Sequence, residues 1–529
     1  MSVRTLPDAL AEAAAGDAGY TFASSSASET FHAYASIYRE SCGVARALHD
    51  AGLRRGDLVA IILSDAHAFL TTLFGASMAS VVPASIAPPV SVTNIARYLE
   101  ITASILRAAR ARAIVTSRTL AAACDTLRVM CPDLSVVLAR EALDAAATAP
   151  PARPALDDIA FVQFTSGSTS DPKGVVITHR NLWANIHAVN GPAGLATSDA
   201  DVGVSWLPLN HDMGLVGMAL APVYASRPVV IMPAHAFVRR PVEWLRAMTR
   251  HRATVSFAPN FAYDLCVRRV KDRDLDGLDL SSWRVAGCGA EPIHPPTLDA
   301  FAEKFAPVGF RDTSFLPSYG LAEHVLAATL PPGDRKLLVE RAGNALLVSC
   351  GRPLPGHSLR IVGEDGRECG EREVGEIALG GPSVMRGYYM QDALTAETIR
   401  DGWLRTGDLG YLAHGELFVC GRASETIIVN GRKYHPQDLE WALGDLEDAR
   451  HGQAVAFGVA EPGRSDRVVV IVEGGDAAAL VAAIRKRVSD SFGVYVDDVV
   501  VVASGTVSRT TSGKVRRAAL KAQYERGDL

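Results

Sequence analysis

Runs of β-branched residues alternating with segments of helical apolar spacing predict an α/β protein of two units. A large N-terminal unit would layer helices on largely parallel sheets, and a small C-terminal unit would be α+β. Three observations carry this. The chain has 529 residues, more than one ordinary core organises. Strand-like and helix-like runs alternate up to about residue 412. Beyond that the pattern changes to strands with a hairpin-like turn and one long helix, in a length sufficient for a small domain.

In order, residues 57–63 read as a strand, 66–82 and 95–112 as helices, and 113–116 as a strand. The Ala- and Pro-rich stretch 142–154 is a loop. An apolar strand, 159–164, leads through a polar loop into an amphipathic helix, 179–189. Short buried strands are expected at 229–232, 254–258 and 283–286. In the last unit, strands at 416–420 and 426–430 flank Gly421-Arg422 as a hairpin. Strands at 454–459, 467–472 and 499–502 surround a helix at 477–492. No internal repeat is present.

Composition narrows the class. Apolar residues make up 48% and charged residues 21%, as in a water-soluble globular protein. A net charge of −5 and a pI near 6.3 argue against a nucleic-acid surface. The eight cysteines form no CxxC pair and no zinc spacing, so they read as reduced thiols of a cytoplasmic protein. Neither a signal peptide nor an apolar run long enough to span a bilayer is expected.

The loop Thr165-Ser166-Gly167-Ser168-Thr169-Ser170-Asp171-Pro172-Lys173-Gly174 is the most telling segment. Hydroxyls and glycines let backbone N–H groups turn toward phosphate oxygens, and Lys173 adds a cation. Its spacing fits neither Walker A nor a dinucleotide fingerprint. A Gly/Ser loop alone is more often a plain surface connection; its companions decide. They are Tyr319-Gly320-Leu321-Ala322-Glu323, Gly375-Glu376-Ile377, Arg405-Thr406-Gly407-Asp408, Gly421-Arg422 and Ser512-Gly513-Lys514, in that order. With them the chain resembles the adenylate-forming superfamily. Ser205-Trp206-Leu207-Pro208-Leu209-Asn210-His211-Asp212-Met213-Gly214, the segment 259–266 and Gly289-Ala290-Glu291-Pro292 make it most similar to the fatty acyl-AMP ligases.

The resemblance implies an N-terminal adenylation domain, 1–422, and a mobile C-terminal domain, 423–529. It implies ATP and Mg2+ as cofactors, a carboxylic acid as substrate, and an acyl carrier protein as acceptor, with CoA as the alternative. An amino- or aryl-acid adenylating enzyme is a further reading. Thr165, Ser166, Gly167, Ser168, Thr169 and Lys173 would cradle phosphate. Tyr319 would stack on adenine, with Gly289, Ala290, Ser318 and Gly320 along the nucleotide edge. Asp408 would hold the ribose hydroxyls and Arg422 assist it. Glu323 would be the metal ligand, and Lys514 the lysine of the adenylation step.

His211 and Asp212 can form a pair of general-base type. A carboxylate substrate needs no base at neutral pH, so the pair is read as positioning, with His211 retained among the catalytic candidates. Met213 and Gly214 would continue that wall. Phe261, Ala262 and Tyr263 would form an apolar wall for an alkyl chain. The hinge position, Lys or Asp in the superfamily, falls at Ser424. The interval between Glu323 and Cys350 is short for a carrier-specific ligase.

Overall fold

The computed structural model describes residues 2–25, 28–89, 95–144, 146, 150, 152–165, 172–342, 345–444, 446, 449–460, 465–474, 477–509 and 515–529. Two seven-stranded sheets organise the large unit. One runs Phe315–Pro317, Val285–Cys288, Val255–Ala258, Gly203–Ser205, Val229–Ile231, Gly19–Ser25, Ser28–Ala33. It is parallel except for its last pair. The other runs Gly387–Tyr388, Lys173–Thr178, Ile159–Thr165, Val82–Ser85, Leu58–Ile62, Ala113–Thr116, Val136–Ala139. Leu58–Ile62, Val82–Ser85 and Ala113–Thr116 are buried at every position, which parallel strands covered by helices on both faces require. A five-stranded antiparallel sheet, including Gly375–Gly380, Trp403–Ala413 and Glu416–Arg422, completes this unit.

The first sheet packs through an aromatic cluster. Tyr263, Trp244, Trp283, Phe301 and Phe315 meet edge to face at 5.1–6.2 Å. Their polar tips are satisfied inside the core: Trp244 Nε1 donates to Ser256 Oγ at 2.9 Å, and Tyr263 Oη donates to the Gly287 carbonyl at 2.8 Å.

The small unit has its own core. Its sheet joins Ala449–Val459, Arg467–Gly474 and Asp498–Val502. Along the central strand Val468, Val470 and Val472 face Leu480, Ile484 and Val488 of helix Ala477–Phe492. Val469 and Ile471 face Leu520 of helix Arg517–Arg526. The two-residue period thus buries both faces of one strand.

Two expectations are corrected. The polar loop does not lead directly into a helix: strand Lys173–Thr178 returns antiparallel to Ile159–Thr165, and helix His179–Asn190 starts only after it. The β-branched run Val175-Val176-Ile177-Thr178 carries that strand. Nor do the segments around Gly421-Arg422 pair with each other. Glu416–Arg422 pairs with Trp403–Ala413, while Ile427–Val429 pairs with Arg432–Tyr434. The tight turns lie at His414-Gly415 and Asn430-Gly431, whose four residues all have positive φ, the geometry of a two-residue hairpin.

Candidate active site

A cleft of about 2100 Å3 lies between the large unit and the C-terminal segment. Parallel strands deliver their carboxyl ends to one edge of a sheet, where α/β proteins bind ligands. Here Gly203–Ser205, Val255–Ala258, Val285–Cys288 and Phe315–Pro317 run on, respectively, into His211-Asp212, Asn260-Phe261, Ala290-Glu291 and Ser318-Tyr319. All eight of these residues line the cleft.

Asp408 is bound on both oxygens. Tyr319 Oη donates to Oδ2 at 2.9 Å, and Arg422 Nε donates to Oδ1 at 2.9 Å. The antiparallel register sets Asp408 opposite Arg422, a cross-strand pair of opposite charge. Burial and then the charge of Asp408 push the Tyr319 hydroxyl well above its ordinary pKa, so it stays a donor.

Glu323 sits in a strained turn. Val325, a β-branched residue, has φ +67°, and the turn closes through His324 N to Leu321 O at 2.9 Å. Asn185 Nδ2 steadies it by donating to the carbonyls of Ala327 at 2.8 Å and His324 at 3.2 Å. Glu323 Oε1 accepts from Tyr388 Oη at 2.9 Å, and Lys173 Nζ stands 5.7 Å from the Tyr388 ring. Burial and then the Glu323 charge raise the Tyr388 pKa. A carboxylate with one oxygen held by a neutral phenol and lining an open cleft fits a magnesium ligand, which needs one or two carboxylates beside phosphate and water.

His211 Nδ1 lies 2.6 Å from Asp212 Oδ1, which also accepts the Met213 N–H at 2.7 Å. Both side chains are largely buried, and the wide helical turn Met213–Leu220 begins at once.

Four expected contacts do not reach the cleft. Tyr263 is fully buried, and Ala262 is buried beside it. Helix Asn260–Arg269 turns about 100° per residue, so Asn260, Phe261, Asp264, Val267 and Arg268 face the cleft while 262, 263, 265 and 266 face the core. Gly289 is buried behind Ser318; a Cβ there would meet Ser318 Oγ at 2.7 Å. Gly214 is buried as well, where a Cβ would meet the Pro208 carbonyl at 2.3 Å. These two glycines serve close backbone approach rather than the cleft surface. Ala290, Ser318, Tyr319, Gly320, His211, Asp212, Met213, Lys173 and Arg422 all line it.

Thr165 ends its strand opposite Lys173. Ser166, Gly167, Ser168, Thr169 and Lys514 lie outside the described residues. Ser424 is exposed in the turn Ala423–Glu425 at the cleft rim. Sequence reasoning missed Tyr388, which carries no local motif. It also assigned no role to Glu291, whose Oε1 accepts the Phe261 N–H at 2.6 Å and ties two strand ends together. Position within Gly289-Ala290-Glu291-Pro292 was the available signal.

The family described as AMP-binding enzyme matches residues 10–389, and the Disco-interacting protein 2-like AMP domain matches 424–529. The chain belongs to the AMP-binding enzymes. Among relatives of this AMP-binding enzyme, the medium-chain-fatty-acid–[acyl-carrier-protein] ligase JamA of Moorena producens is 36% identical, over 70% of this chain and 69% of its own length. The 4-hydroxyphenylalkanoate adenylyltransferase of Mycobacterium tuberculosis is 34% identical, over 89% of this chain and 82% of its own. A structure from work on fatty acyl-adenylate ligases of E. coli and L. pneumophila superposes with a TM-score of 0.93 at 34% identity, over 99% and 98% of the two chains. The fold is the adenylate-forming one, with a large N-terminal and a smaller C-terminal domain, and the enzyme falls in the ATP-dependent acid–thiol ligase class with the fatty acyl-AMP ligases. Among the described residues no helix is long and apolar enough to cross a membrane.

Proposed function

We propose that this enzyme converts a fatty acid and ATP to acyl-AMP and pyrophosphate, then passes the acyl group to the phosphopantetheine thiol of an acyl carrier protein. The observation that carries this reading is one cleft with two polar clusters, Tyr319–Asp408–Arg422 and Lys173–Tyr388–Glu323, beside apolar Val189, Phe257, Phe261 and Leu326. Asp408 takes the ribose hydroxyls, Tyr319 meets the base, and Arg422 holds Asp408 in place. Lys173 and the loop before it neutralise phosphate oxygens. Glu323 holds Mg2+, which screens phosphate charge when bound, and Tyr388 fixes the carboxylate that does so. The fatty carboxylate then approaches the α-phosphorus without electrostatic repulsion, with Lys514 bridging the two and pyrophosphate leaving. His211 and Asp212 position the acid.

The domains divide at 422/423, and the C-terminal one moves between half-reactions about the turn at Ser424. Free thiols throughout the chain suit a cytoplasmic enzyme. Transfer to a carrier is supported by the similarity to JamA. CoA is the second reading, favoured by the short interval after Glu323, in which strand Ala327–Leu330 is followed by a small hairpin, Val339–Ala342 with Ala345–Val348. ATP–pyrophosphate exchange across fatty, amino and aryl acids tests the first step; strongest exchange is expected with fatty acids. Affinity should climb by about 0.8 kcal/mol per buried methylene until the pocket ends. Incubation with ATP, Mg2+, a medium-chain acid and either CoA or holo-carrier protein, read by intact mass, tests the second. Rapid acyl-CoA formation with no carrier loading would overturn the carrier assignment.

A further inference from the structure

Outside the cleft, three donors from three elements converge. His32 lies on the edge strand Ser28–Ala33, Glu40 on helix Tyr34–Asp50, and His67 in the first turn of helix Ala66–Met78. One ligand atom from each lies within 4.8 Å of the others, and His67 Nε2 stands 2.8 Å from Glu40 Oε2. That nitrogen is buried, yet no aligned hydrogen bond joins it to the carboxylate. The His32 and His67 rings are 4.3 Å apart, and Phe22 presents a wall edge-on to both, at 5.6 and 5.4 Å. None of the three donors lines the cleft.

We propose that His32, Glu40 and His67 bind a transition-metal dication of the Zn2+ class as a structural clamp on the sheet edge.

The donor set supports this. Two imidazoles and one carboxylate are a familiar zinc set, and tetrahedral bonds of about 2.0–2.2 Å separate donors by about 3.3 Å. The present spread brackets that spacing, so small side-chain rotations suffice. Mg2+ and Ca2+ prefer oxygen and would leave two nitrogens unused. The His67 and Glu40 side chains remain 26% and 34% exposed, so water can reach the group and would complete a fourth position. The mechanical role follows from the elements joined. The two helices already touch where Gly75 meets Val44, a spot with no room for a Cβ. The strand Ser28–Ala33, by contrast, is a sheet edge with Phe31 exposed. A metal would fasten that edge to the helix pair.

The test uses the full chain, stripped of metal and held in excess Mg2+ to occupy oxygen-rich sites. Titration with Zn2+ by calorimetry should give one tight equivalent and a higher melting temperature. Titration with Co2+ should give the visible absorption of a four-coordinate site, saturating at one equivalent. His32→Asn, Glu40→Ala and His67→Asn should each weaken binding at least about tenfold, while the control His49→Gln, an exposed histidine, should bind like the wild type. No visible Co2+ bands at one equivalent, or variants that bind as the wild type does, would overturn the proposal. Should one variant fail to fold, the other two still locate the site, because each must weaken Co2+ binding by itself.

Discussion

The two walls of the cleft are held by different means. In the large unit, the site grows from strand ends anchored in a common core. Asp408 is held on both oxygens, Glu323 sits in a braced turn, and Glu291 ties two loops together. The small unit folds around its own strand, Arg467–Gly474, and meets the large one through slighter contacts. Trp441 packs on His294 at 4.8 Å, Gln437 Nε2 donates to the Cys420 carbonyl at 2.6 Å, and Lys433 pairs with Glu364. The last pair is exposed on both sides and worth little. One wall is thus fixed by folding, while the other is set by docking. On the proposed function, that division suits two half-reactions that need one nucleotide site and different partners brought to it.

The largest effect should come from Lys514, the lysine proposed for the adenylation step. Lys514→Ala should lower acyl-AMP formation by at least 10²–10³-fold, about the loss of one charge-stabilising donor, yet spare transfer from supplied acyl-AMP. Single-turnover assays of each half-reaction would check this. Equal loss of both, with an unchanged melting curve, would erase the distinction between the walls.

Next comes the helix that supplies both core and cleft. Tyr263→Ala should cost about 3–5 kcal/mol of stability, as other large aromatic truncations do. Phe261→Ala should leave melting nearly unchanged and shift preference among acid chain lengths. Denaturant melts beside an acid panel would separate the two faces.

Acid should weaken the fixed wall. Burial first, and the nearby His357 second, lower the His324 pKa to about 3, and burial takes His179 to about 4. Below the ordinary value of 6.5 the unfolded chain therefore binds protons that the folded chain refuses. Stability should fall as pH drops from 6.5 toward 3, by up to about 1.4 kcal/mol per pH unit for each histidine. His324→Gln should flatten that slope in urea melts taken from pH 7 to 4.

Asp408→Asn should weaken ATP binding by about 1.5–3 kcal/mol, the range for hydrogen bonds to a charged group, with a higher KM for ATP as the readout. The smallest effect belongs to the docking contact. Trp441→Ala should cost about 0.5–1.5 kcal/mol of aromatic contact and speed tryptic cleavage after Arg422 up to about tenfold, leaving ATP affinity unchanged.

Much of this was legible in the chain. Strands 58–62 and 113–116 and the helix Ala477–Phe492 follow from local periodicity, because burial on one or both faces writes itself into residues near in sequence. The family motifs point to Glu323 and Asp408, both of which line the cleft, and to Lys514, which lies outside the described residues. Local pattern did not resolve which neighbours share a surface. Phe261 and Tyr263 stand two residues apart, yet helical rotation sends one to the cleft and the other to the core. Tyr388 reaches Glu323 across 65 residues, and His32, Glu40 and His67 meet without any spacing that marks a metal ligand. Periodicity is a property of neighbours along the chain and so is fixed by sequence. Convergence depends on how sheets and helices stack, a decision that only the folded core makes.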